Sequence, residues 1–384
     1  MRPLRSTSFW GAWILSAVWL AAACDVAWGV PVADRAVAGR PLIEVSIRAL
    51  KPAAIPGAVA GYRFLEGMPC LLERNLFADA ADGRWDEHSL LVAALLASGV
   101  DDPVALTRYQ TQVAGLCAEL RDSGAMRGSP RERAQVLFEF MHRRVLYGGY
   151  EIDCTDLALA LDQGRFNCVS ASVLYNCLAG RFGLTARGLE TPGHAKSRLI
   201  LPDGVLDVET TCPTWFRLIG EPEKQAELVR KTIGVQPSAG LPAAEPREVS
   251  GAALVATIYY NRGVDLLGQQ RFAEALAANA KALRLDPSSV TARGNLLATL
   301  NNWAIGLGNG GRYAEAIDLL RQGLALDPAY ETFKANYVRL HYQWISDLLA
   351  RGQRAQATQI AQQAMADPYL EGQAAEVIPR ISSE

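Results

Sequence analysis

The stretch Gly164–Thr211, GRFNCVSASVLYNCLAGRFGLTARGLETPGHAKSRLILPDGVLDVETT, decides how this chain reads. Val169, Val173, Leu174 and Leu178 recur at helical spacing, so residues 166–180 read as a helix with Gly183 as its stop. Cys168 falls in its first turn. Thr185–Glu190 and Ser197–Leu201 have strand character, Pro202-Asp203-Gly204 is a hairpin signal, and Val205–Val208 returns. Helix, strand, turn and strand make an α+β unit with an antiparallel sheet against the cysteine helix.

The same stretch carries chemistry. A thiol attacks only as thiolate, and a helix N-terminus favours the thiolate through its dipole and free N–H groups. Cys168 has that placement and is the candidate nucleophile. His194 follows as its base, and Asp207, across the hairpin turn, is the candidate orienter of the imidazole. Glu209 shares the Asp207 face by strand alternation and is the substitute if the register differs; otherwise it is structural. Gln163, five residues before Cys168, is weighed as an oxyanion donor against an exposed loop glutamine. Trp215 reads as core. A metal site from Cys154, Cys168, Cys212 and His194 lacks paired-ligand spacing, and no CxxC is present, so neither a metal nor a cofactor is expected.

Upstream, three helices lead in. Ser89–Ser98 ends at Gly99. Asp102-Pro103 is an N-cap followed by proline at the first helical position, and Ser129-Pro130-Arg131-Glu132 has capping-box spacing. Residues 30–73 are the least legible, with one strand at residues 42–47. At the N-terminus Arg2 and Arg5 precede an apolar run, Phe9–Ala23, too short to span a membrane. It reads as an export signal cleaved near Gly29, with lipidation at Cys24 or an uncleaved anchor as the alternatives. All three place the bulk of the protein outside the cytoplasm, with a membrane role only through such an anchor. Of seven cysteines, six remain after cleavage, and the spacing assigns no bridges.

Downstream, residues 237–250 are rich in Pro, Ala and Gly and read as a linker. The rest repeats. Arg271-Phe272-Ala273-Glu274-Ala275 recurs as Arg312-Tyr313-Ala314-Glu315-Ala316, and Asp286-Pro287 as Asp327-Pro328, both 41 residues on; Ala357, Ala364 and Asp367-Pro368 mark a third copy. The pattern resembles tetratricopeptide repeats, with the small Gly263 and Gly323 where paired helices approach and proline after the second helix. The usual period is about 34 residues, so longer first helices or loops are expected. Such arrays bind a protein or peptide. A net charge of −2 with 20% charged residues gives no basic surface for nucleic acid.

Asn167-Cys168-Val169-Ser170-Ala171, Gly183-Leu184, Pro192-Gly193-His194-Ala195 and Leu206-Asp207-Val208-Glu209 resemble the transglutaminase-like superfamily, in its bacterial branch joined to tetratricopeptide repeats. The resemblance spans roughly residues 85–215. It implies a papain-like α+β core with a Cys-His-Asp triad, carried by Cys168, His194 and Asp207. It also implies amide chemistry, since the superfamily holds crosslinkers, deamidases and peptidases beside inactive binding versions. The expected organisation is a signal (1–29), an extension (30–84), a transglutaminase-like domain (85–236), a linker (237–250), three repeats (251–370) and a tail (371–384). The expected function is an exported cysteine enzyme acting on amide or peptide bonds. The alternative is a non-catalytic scaffold using the same two parts for protein binding.

Overall fold

The computed structural model describes residues 70–82, 85–191, 193–233 and 245–370. The segment expected to be an export signal, the strand expected at 42–47, Pro192, residues 234–244 and the tail from 371 lie outside them. The described chain is mostly helical with a small sheet region, and its C-terminal part is all helix.

Four helices lead in: α1 (Leu71–Asp79), α2 (Leu90–Ala97), α3 (Pro103–Asp122) and α4 (Pro130–Arg144). The last three start where their caps stand. Ser89 Oγ accepts from Val92 N, Asp102 Oδ2 accepts from Ala105 N at 2.8 Å, and Ser129 and Glu132 form a reciprocal capping box. Helix α1 falls in the stretch expected to be an extension. Its cap is a cysteine: Glu73 N donates to Cys70 Sγ at 3.5 Å, and Cys70 N donates to Glu73 Oε2 at 3.2 Å. The capping signal was present at Glu73 but lacked the hydroxyl that usually marks it.

Next come β1 (Gly149–Tyr150), α5 (Leu157–Gln163) and β2 (Arg165–Phe166), with β1 and β2 pairing in parallel. Helix α6 (Cys168–Arg181) starts two residues later than the periodicity suggested, because Phe166 belongs to β2 and Asn167 is the cap. Residues 168–179 are all buried, and Tyr175, fully enclosed, donates its hydroxyl to Ala134 O at 3.0 Å.

The sheet runs β5-β4-β3-β6, all antiparallel: β3 (Thr185–Thr191), β4 (His194–Leu201), β5 (Gly204–Val208) and β6 (Arg247–Val249). Helix α7 (Pro222–Ile233) intervenes before β6. Strand β6 corrects the linker expectation: the end of residues 237–250 is a paired edge strand on β3. Its Val249 is buried against the sheet, which a free linker would not offer.

Two helices share one face of this sheet. Gly188 and Ser197 are cross-strand partners, so their side chains point the same way. Ser197 Oγ donates to Ser172 O in α6 at 3.4 Å. A Cβ at Gly188 would lie 2.5 Å from Val249 Cγ2 and 3.0 Å from Leu254 Cδ1, in helix α8 (Gly251–Gly268). Only glycine lets β6 and α8 come that close.

Helix α8 opens three helical hairpins: α8 with α9 (Phe272–Leu285), α10 (Val290–Asn309) with α11 (Tyr313–Leu326), and α12 (Glu331–Ala350) with α13 (Arg354–Met365). The first helices have 18, 20 and 20 residues. The extra length of the 41-residue period therefore lies in helix rather than in loop. Equivalent contacts recur. Phe272 stacks on Trp303 and Tyr313 on Trp344, each with centroids 6.2 Å apart. Asp286, Asp327 and Asp367 each accept from a backbone N–H two residues on, closing the second helix by the same turn in all three copies. Gly323 is needed for close approach, since a Cβ there would lie 2.6 Å from Phe333 Cζ.

The described residues fall into two compact units, one of residues 70–265 and 277–292, the other of 266–276 and 293–370. The sequence suggested a boundary at 237–250; the division instead cuts the first repeat. The physical reason is local to the first unit. Tyr259 Oη donates to Glu73 Oε1 at 2.9 Å, Lys281 holds the same carboxylate at 2.8 Å, and Arg262 Nη1 donates to Ala97 O at 2.6 Å.

Candidate active site

The site is built from the start of α6. Asn167 Oδ1 accepts from Val169 N at 2.9 Å and Ser170 N at 3.1 Å, and Ser170 Oγ accepts from Asn167 N at 3.0 Å. The cap is clamped in turn to the loop before α5. Asn167 Nδ2 donates to Ile152 O and Thr155 Oγ1, and Ser170 Oγ donates to Cys154 O. Cys168 is thereby fixed as the first helical residue, with a backbone N–H that helix geometry leaves without an intrahelical acceptor. It is 9% exposed.

His194 is the first residue of β4, held by its pairing with Thr191 across the β3–β4 turn. Its Nε2 lies 2.7 Å from Glu209 Oε2, and Cys168 is near enough to act on its protonation. With Nε2 committed to Glu209, Nδ1 is the nitrogen left available to the sulfur. Burial pulls the imidazolium down, but the bonds to Cys168 and Glu209 and their charges outweigh it and raise His194 to about 10. Glu209 is buried, and its other oxygen accepts from Thr211 Oγ1 at 2.7 Å and Thr211 N at 3.2 Å.

Asp207 does not stand beside His194. It pairs with Arg198, Nε to Oδ1 at 2.6 Å and Nη2 to Oδ2 at 3.0 Å, with Lys196 Nζ 3.7 Å away. The reason is register. The turn sets Leu201 opposite Gly204, and so Arg198 opposite Asp207. Continuing that register puts position 211 opposite His194. At about 3.3 Å per residue Asp207 is then roughly 13 Å away along the strand and Glu209 roughly 7 Å, within diagonal reach of a longer side chain. Counting outward from the Pro202-Asp203 turn would have found Glu209 in the sequence.

Tyr150 was not singled out by sequence. Burial, and then the charges of Cys168, Glu209 and Cys212, push its phenol well up, so it keeps its proton. Gln163 is exposed and its amide oxygen accepts from Arg165. Trp215 is core, as expected, and donates its indole N–H to Asp207 O at 3.1 Å. The six cysteines among the described residues are free thiols. Of the weighed metal set, Cys212 Sγ turns to Thr232 Oγ1 and Cys154 Sγ to Glu151. Cys154 does share a cluster with Glu151 and Asp153, with potential ligand atoms within 4.8 Å, but Arg165 already occupies Glu151.

A thiol at a helix N-terminus, an imidazole near it and a carboxylate behind the imidazole are the parts that can store a thiolate–imidazolium pair and return its proton to a leaving group. A separate cleft of about 270 Å³ lies in the second unit, between α11, α12 and α13, where Ile317, Arg321, His341, Trp344 and Asp367 line it. It belongs to the repeats and not to the thiol.

The C-terminal hairpins define a class: paired helices recurring every 41 residues with small residues at their crossings. Residues 254–329 match the tetratricopeptide repeat family model. Repeats of that family generally mediate protein–protein interaction, which is consistent with a protein partner for this region. No curated protein and no solved structure matches the chain.

Proposed function

We propose that this protein is an exported, transglutaminase-like cysteine enzyme acting on amide or peptide bonds, with a repeat region that binds a protein. The observation that carries the reading is His194, held by Glu209 at 2.7 Å and within electrostatic reach of Cys168 at the start of α6. In this reading Glu209 takes the orienting place first expected for Asp207. The Cys168 thiolate attacks the carbonyl carbon, and the oxyanion is met by the Cys168 N–H and the Tyr150 hydroxyl. Imidazolium Nδ1–H protonates the leaving nitrogen as the C–N bond breaks, leaving a thioester. His194 then takes a proton from water, for hydrolysis, or from an amine, for acyl transfer, and the attack on the thioester frees Cys168. Export rests on the basic and apolar N-terminal segment alone.

The test is iodoacetamide labelling of Cys168 against pH, read by peptide mass so that the other thiols do not interfere. Labelling well below pH 8.5, the ordinary thiol range, and its loss in His194→Ala are expected. Ordinary labelling unaffected by that substitution overturns the enzyme reading. The family match, confined to residues 254–329, favours a second reading, a scaffold in which the thiol region is inactive. Partner capture by the full chain, unchanged in Cys168→Ala with no thiol activation, would support it.

A further inference from the structure

The turn that follows β5 carries two threonines that take no part in the proposed chemistry. Helix α6 and strand β3 are joined by residues 182–184 alone and pack on each other, so β3 runs back along the helix. The helix has 14 residues and the strand 7. Those lengths make about 21 Å of helix and about 23 Å of strand. The β3–β4 turn that carries His194 therefore returns to the level of Cys168. Glu209 meets His194 there, yet no strand pairing puts it in place, because the β4–β5 ladder ends at Ser197 and Val208.

What holds Glu209 is the turn itself. Its Oε1 accepts from Thr211 Oγ1 at 2.7 Å and from Thr211 N at 3.2 Å, two donors of one residue on one oxygen. Oε2 is thereby left for His194 Nε2, at 2.7 Å. Glu209 and Thr211 are both buried, so bulk water does not replace a lost hydroxyl. Thr210, between them, reaches the helix instead. Its Oγ1 lies 2.8 Å from Ser172 Oγ in α6, and both residues are fully buried. Ser172 is one turn on from Cys168. Residues four apart share a helix face, with Cβ atoms about 6 Å from each other. Successive residues of the turn thus fasten the carboxylate and the reactive helix.

The other titratable groups packed around the start of α6 are silent near neutral pH. His142 and Tyr150 both pack on Phe166, two residues before Cys168. Burial pushes the first down to about 4 and the second well up. Burial also raises Cys212, whose Sγ donates to Thr232 Oγ1 in α7. A pH profile altered by a threonine substitution is therefore read at His194 and Cys168.

We propose that Thr210 and Thr211 are positioning residues of the thiol site: Thr211 aims the Glu209 carboxylate at His194, and Thr210 sets how close that pair lies to Cys168 by tying the turn to α6. The Thr210 half rests on the reading of Cys168 as an activated thiol; the Thr211 half concerns His194 alone.

The test uses the full chain with two readouts beside thermal melting. One is the pH profile of Cys168 labelling. The other is the titration of the His194 ring by NMR, assigned by its loss in His194→Ala. Thr211→Val is expected to move the labelling midpoint up and the His194 titration down by about one pH unit, which is about tenfold slower labelling at pH 7. Thr211→Ser, which keeps the hydroxyl, restores both, and Thr211→Ala carries the test if the valine variant does not fold. Thr210→Val and Ser172→Ala cut the same bond. Each is expected to raise the labelling midpoint by about half a unit, roughly threefold in rate, and the double variant no further. Variants without the hydroxyl that melt earlier but keep the wild-type midpoint and the wild-type His194 titration overturn the proposal. The thiol reading fails separately, through a wild-type midpoint that is ordinary and indifferent to His194→Ala. The Thr210 half then falls with it, and the His194 titration still decides the Thr211 half.

Discussion

Glu209→Gln and Asp207→Asn differ by one methylene and two positions in the chain, and they should behave oppositely. His194 rises from 6.5 to about 10. A raised histidine contributes stability that is fully present below pH 6.5 and is lost as pH climbs through about 10. Three and a half pH units correspond to about 4–5 kcal/mol as an upper bound. Two partners, Cys168 and Glu209, produce the rise, so removing one charge should cost roughly 2 kcal/mol at pH 7. Asp207 is about a third exposed and paired with an arginine, so Asp207→Asn should cost under about 1 kcal/mol. Urea unfolding at pH 7 and again at pH 10.5 reads this directly. The Glu209→Gln deficit should be large at the lower pH and nearly gone at the higher, while Asp207→Asn stays near wild type at both. Cys168 labelling at pH 6 should fall sharply in Glu209→Gln and hold in Asp207→Asn. Loss of labelling in Asp207→Asn with Glu209→Gln unaffected would refute the register argument and the site built on it.

Asn167→Ala removes the cap of α6 and strands partners in the loop at residues 152–155; a loss of about 2 kcal/mol is expected by chemical denaturation, together with loss of early Cys168 labelling. His142, against Phe138 at 4.6 Å, is pushed down to about 4 by burial. It stays neutral in the folded chain while the unfolded chain protonates below pH 6.5, so it should erode stability by up to about 3 kcal/mol between pH 6.5 and 4. His142→Phe should flatten that limb of a stability–pH curve. Gly188→Val forces a side chain into Val249 and Leu254 and should destabilise the first unit by about 1–3 kcal/mol or more, seen as an earlier melt.

Much of the architecture is written in local chemistry. Ser89, Asp102 and Ser129 start helices because a side-chain oxygen meets a backbone N–H three residues away, and such a pairing needs nothing beyond its own turn. The 41-residue repeat is legible because both junctions between consecutive hairpins use the same aromatic stack and all three hairpins the same aspartate turn. Helix α1 escaped because a cysteine replaced the hydroxyl of its cap, and β6 because three residues beside a proline-rich stretch carry no periodicity of their own. Both elements are secured by partners far away in sequence, Lys281 and Tyr259 for one and β3 for the other.

The sequence by itself determined the residue types of the candidate site, the helix that presents Cys168, the hairpin that follows it and the repeat array behind. Only the tertiary structure decided which carboxylate serves His194 and that the first repeat hairpin contributes to the same compact unit. Caps, turns and repeats are settled by neighbours within a few residues. A charge partner depends on register and on where burial removes water, and both are properties of packed elements that no single stretch contains.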